Sequence, residues 1–86
     1  MIEQIQSAIL AAIPDAQVYV VDPNNDGQHF QSLVISAEFE GMSPVKQQQK
    51  VMNTLKSEFA SNAVHALALK TFTPEKWQAE KANYQL

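Results

Sequence analysis

The sequence predicts an α+β domain, a three-stranded mixed sheet with helices packed on one side. Three observations carry this expectation. Apolar residues recur at helical spacing ahead of Pro14. Two β-branched and aromatic runs flank a turn-rich segment, which is a hairpin pattern. A serine or threonine followed by proline then opens a helical segment on each side of a third apolar run. The resulting order is helix, strand, strand, helix, strand, helix, without repeats or a low-complexity linker. A helical connection between the second and third strands implies that they run parallel if they are neighbours.

The first helix follows from Ile2, Ile5, Ile9 and Ile13, spaced three and four apart on one helical face, and Pro14 stops it. Ala16 to Val21 reads as a strand. Asp22-Pro23-Asn24-Asn25-Asp26-Gly27 concentrates turn formers, and Phe30 to Ala37 reads as the returning strand. Ser43 caps and Pro44 opens a helix that runs to about Ala60. Its buried stripe is Val51, Met52, Leu55 and Phe59, with Lys46, Gln47, Gln49, Lys50, Asn53 and Lys56 facing outward. The third strand spans Val64 to Phe72, with Val64, Ala66, Ala68 and Phe72 on one face and His65, Leu67, Leu69 and Thr71 on the other. Thr73-Pro74-Glu75 repeats the cap, Glu75 suits the helix dipole, and Trp77 anchors a short last helix. Ala82 to Leu86 is expected to fray.

With 86 residues the chain forms a single domain, residues 1–86, near the lower end of what folds without covalent or metal staples. A deep enclosed active site is not expected at this size, because such a chain buries only about 60% of the surface its unfolded form exposes. Cysteine is absent, which removes disulfides, thiolate zinc sites and thiol nucleophiles, and is compatible with a reducing cytoplasm. The N-terminal residues lack the basic and apolar regions of a signal peptide, and no apolar run is long enough to span a membrane. A net charge of −3, with six lysines and no arginine, disfavours extensive phosphate contact. No glycine-rich phosphate loop, nucleophile–base pair or carboxylate dyad is present, so the chain is not expected to be an enzyme.

The chemistry-bearing residues are few. His65 and His29 are the two histidines, so any borderline or soft metal chemistry passes through them. From periodicity alone a strand histidine such as His65 has a structural reading. His29 has one too: packing or hydrogen bonding across the hairpin to fix register. Asp26 reads as a turn residue. Lys46 and Lys50, four residues apart, put two cations on one helix face.

Four pieces in order resemble the BolA family: Asp26-Gly27-Gln28-His29-Phe30, the segment Ser36-Ala37-Glu38-Phe39-Glu40-Gly41-Met42-Ser43, then Val64-His65-Ala66-Leu67, and Thr73-Pro74-Glu75-Lys76-Trp77. Val45-Lys46-Gln47-Gln48-Gln49 looks most like the IbaG branch. The resemblance covers nearly the whole chain and implies a topology similar to type II KH domains. It also implies a non-enzymatic, cytoplasmic partner of monothiol CGFS glutaredoxins that shares a 2Fe–2S cluster with the glutaredoxin cysteine and glutathione. The family's His-Ala-Leu ligand maps onto His65; the second ligand comes from the hairpin, where His29 is the available imidazole. The free chain is open to homodimerisation. A second reading is a DNA-binding transcriptional regulator using Lys46 and Lys50, and a third is a metal-free protein–protein module. Glu40-Gly41-Met42-Ser43 has one glycine where a KH Gly-x-x-Gly clamp would need two, which disfavours RNA binding.

Overall fold

The computed structural model describes residues 2–26, 29–58 and 67–84. The isoleucine stripe forms helix α1, Ile2–Ala12, whose Ile5 and Ile9 are buried. Beyond Pro14 the chain enters β1, Gln17–Val21, which pairs antiparallel with β2, Phe30–Ile35, through Val18↔Val34 and Val20↔Ser32. Helix α2, Pro44–Glu58, carries the chain back, and β3, Leu67–Phe72, pairs parallel with β2 from Phe30↔Leu67 to Ile35↔Phe72. The strand order is β1-β2-β3, the expected mixed sheet. Helix α3, Pro74–Glu80, and a 3-10 turn, Lys81–Asn83, complete the described chain. Phe59, the helix end near Ala60 and the Val64–Ala66 start of the expected third strand lie outside the described residues.

Both proline-opened helices start as their sequences require. Ser43 Oγ accepts from Lys46 N at 3.3 Å, and Thr73 Oγ1 accepts from Lys76 N at 3.3 Å. Each side chain satisfies one amide that the helix itself leaves unpaired, and the proline that follows has no amide to satisfy.

Strand alternation divides the core between two faces. Val20, Phe30 and Val34 join Ile5, Ile9 and Ile13, with Phe39, Val51 and Leu55 completing the main cluster. Leu33 and Ile35 point the other way and join Phe72 and Trp77, with Tyr19 and Tyr84 packed against them. The expectation of helices on one side therefore holds for α1 and α2, while α3 covers the opposite face. The cause is Trp77: its ring stacks on Tyr19 at 5.8 Å and meets Phe72 at 5.2 Å and Tyr84 at 5.7 Å. Of the segment expected to fray, Ala82 to Tyr84 is ordered by the same cluster, and the last two residues lie outside the described ones. Tyr84 is half-buried, edge-on to Phe72, and its hydroxyl accepts from Lys70 Nζ at 3.3 Å.

Two polar side chains bend the chain in ways periodicity did not announce. The second strand stops at Ile35 because Asp15 takes over the next groups. Ser36 Oγ donates to Asp15 Oδ1 at 2.7 Å, Ala37 N donates to Asp15 Oδ2 at 3.0 Å, and Glu38 N donates to Ser36 Oγ. These bonds fold Ala37–Phe39 into a 3-10 turn and drive Phe39 into the core, where it is fully buried. Gln47, expected outward, is buried. Its Nε2 donates to the Phe39 and Met42 carbonyls at 3.3 and 3.0 Å, and its Oε1 accepts from Thr71 Oγ1 at 2.8 Å. One amide thus ties the turn, α2 and β3 together.

Three outcomes follow for stability. Trp77→Ala should cost about 3–5 kcal/mol, read as a lower urea midpoint, because a large ring leaves the α3 face without its anchor. Gln47→Ala should cost about 1–3 kcal/mol by leaving buried carbonyls and a hydroxyl unpaired. The Ser36 hydroxyl lowers the Asp15 pKa, desolvation opposes it, and the Ala37 amide lowers it further. A native pKa below the unfolded one stabilises the fold above the ordinary aspartate range, and that stabilisation is lost as pH falls through the native value. The stability gap between wild type and Asp15→Asn should hold near neutrality and shrink on acidification; a pH-independent gap contradicts the assignment.

Candidate metal-binding histidine and the basic helix face

The loop between β1 and β2 is organised by aspartates. Asn25 N donates to the Asp22 carbonyl at 3.0 Å, and Asp26 N donates to Asp22 Oδ1 at 3.2 Å. Asn25 occupies the left-handed region at φ 53°, a conformation asparagine tolerates better than most residues. Asp26 then holds His29 twice: Oδ1 accepts from the His29 backbone amide at 3.0 Å, and Oδ2 lies 2.7 Å from His29 Nδ1. The His29 side chain is 60% exposed. These bonds run within the loop to Asp26. Asp26 has the expected turn role and an added one, because it grips the imidazole as well as the backbone.

A carboxylate on Nδ1 leaves Nε2 as the remaining ring donor, the arrangement that metal-ligating histidines share with their supporting carboxylates. Among the described residues no group of three or more His, Cys, Asp or Glu side chains could hold a metal ion.

His65 lies outside the described residues. Strand β3 begins at Leu67, whose Cα partner is Phe30, the residue after His29.

The two lysines differ in their surroundings. Lys46 is exposed near the start of α2, whereas Lys50 is half-buried and places Nζ 3.2 Å from Glu38 Oε1. That carboxylate offsets one of the two charges a phosphate would need. A cleft of about 80 Å³ is lined by Asp15, Ser36, Ala37, Pro74 and Trp77. It falls well short of the ~300 Å³ at which small-molecule pockets begin. Among the described residues, no helix is long and apolar enough to cross a membrane.

The comparisons agree with this architecture. The BolA-like protein family model matches residues 5–76. The chain is 37% identical over 78 residues to the acid stress protein IbaG of Escherichia coli strain K12, covering 91% of this chain and 89% of that protein. It is 36% identical over 76 residues to the DNA-binding transcriptional regulator BolA of Vibrio cholerae, covering 88% of this chain and 70% of that one. A bolA protein homologue from Coxiella burnetii matches with a TM-score of 0.73 at 30% identity, covering 91% of this chain and 96% of that chain. With the helices, mixed sheet, motif order and family match in agreement, the chain belongs to the BolA-like family.

Proposed function

We propose that this protein is a non-enzymatic cytoplasmic adaptor that pairs with a monothiol CGFS glutaredoxin and co-ligates a bridging 2Fe–2S cluster, in iron–sulfur trafficking or in iron or redox sensing. The observation that carries the proposal is the exposed His29 imidazole, held by Asp26 at Nδ1 just ahead of β2. A chain with two histidines and no cysteine cannot complete a cluster, so the glutaredoxin cysteine and glutathione would supply the other positions. His65 is the leading ligand, by its place in the His-Ala-Leu motif, and His29 the second. Imidazole ligation in place of thiolate raises the potential of such a cluster.

Mixing the protein with a monothiol glutaredoxin, iron, sulfide and glutathione should give a visible spectrum distinct from that of the glutaredoxin homodimer. His65→Ala should abolish the distinct spectrum and His29→Ala should weaken it; a spectrum unchanged by His65→Ala refutes the leading assignment. A ligating imidazole must be deprotonated, so acidification should bleach this cluster at a higher pH than an all-thiolate one.

A second reading has one observation in its favour, the DNA-binding name of the Vibrio cholerae relative. It assigns the contact to Lys46 and Lys50 on α2. DNA affinity would then fall steeply with salt and vanish in Lys46→Glu/Lys50→Glu. Glu38→Gln, which releases Lys50, would tighten binding. Anisotropy titrations showing no association at low salt remove this reading.

A further inference from the structure

We propose that Asp26 is a positioning residue for His29, fixing the imidazole in the Nδ1–H tautomer so that Nε2 is the atom presented outward. The argument starts from donor and acceptor inventory. An ionised carboxylate only accepts hydrogen bonds, so the 2.7 Å contact between Asp26 Oδ2 and His29 Nδ1 requires the proton to sit on Nδ1. In the neutral ring the lone pair is then on Nε2. The second carboxylate oxygen is committed to the His29 backbone amide at 3.0 Å, so the same group orients both the ring and the chain that carries it. Asp26 is itself anchored, its amide donating to Asp22 Oδ1 at 3.2 Å. The spacing is local: residues 22, 26 and 29 form a relay in which each aspartate holds the next member.

The arrangement matters because the tautomer decides which nitrogen can ligate. An imidazole alone in water favours the Nε2–H form, which would offer Nδ1, the nitrogen nearer the backbone and more hindered. Asp26 reverses that preference in a ring left 60% exposed. A pre-set ring loses less freedom on ligation. The use of this geometry for cluster binding rests on the function proposed above, whereas the tautomer itself is a property of the free protein.

The test is nitrogen-15 NMR of the His29 ring in the free protein at mildly alkaline pH. Wild type should show a protonated Nδ1 and a bare Nε2. Asp26→Ala should revert to the Nε2–H form, with backbone amide spectra away from the loop unchanged. A wild-type ring in the Nε2–H form, or the same tautomer in both proteins, overturns the proposal. In the glutaredoxin complex, Asp26→Ala should weaken the distinct spectrum as His29→Ala does. If the free-protein tautomers are as stated but no mixed cluster forms with any variant, the functional proposal fails and the positioning role of Asp26 stands.

Discussion

Strand β2 is the element on which the remaining structure depends. It is hydrogen-bonded to β1 on one edge and β3 on the other, and four of its last five residues are buried. Its odd and even positions feed two separate clusters, one under α1 and α2 and one under α3. A one-residue slip in its register would exchange the two faces at once, sending Phe30 and Val34 to Trp77 and Leu33 to the isoleucine stripe. The same strand sets the ends of the molecule. At its start Phe30 aligns with Leu67 and carries His29 just outside the sheet. At its close Asp15 captures Ser36 and turns the chain toward Phe39.

That rigidity gives the exposed end its value. The His29 loop is a surface segment, yet it is braced by Asp22 and Asp26 and joined directly to the most buried strand. A ligand displayed this way can be shared with a second protein without a pocket, because the second protein supplies the rest of the coordination sphere. The lysine face of α2 is less prepared for a polyanion, since Lys50 already answers to Glu38.

Features set by local chemistry were legible in the sequence. The isoleucine spacing, the two cap–proline pairs and the hairpin composition each constrain only a few neighbouring residues, and each matches the structure. What escaped depends on residues far apart in the chain. Gln47 sits on a helix whose polar pattern reads as solvent-facing, and only the carbonyls of Phe39 and Met42 and the hydroxyl of Thr71 explain its burial. Asp15 ends a strand that begins 15 residues later, at Phe30. Trp77 sent α3 to the opposite face because Tyr19, Phe72 and Tyr84 gather there, and no single one of them signals this alone. At the candidate site, scarcity and motif single out two histidines as candidates, of which the structure describes His29. The Asp26 grip on Nδ1 was not legible, because a turn aspartate looks the same whether or not it also holds a ring.

The central claim is that the cluster belongs to a mixed complex. Native mass spectrometry of the reconstituted protein with a monothiol glutaredoxin and glutathione tests it most directly. The account predicts a one-to-one heterodimer carrying a single 2Fe–2S cluster, lost when His65 is replaced by alanine. A glutaredoxin homodimer holding all of the cluster, with this protein free in the same sample, would contradict it.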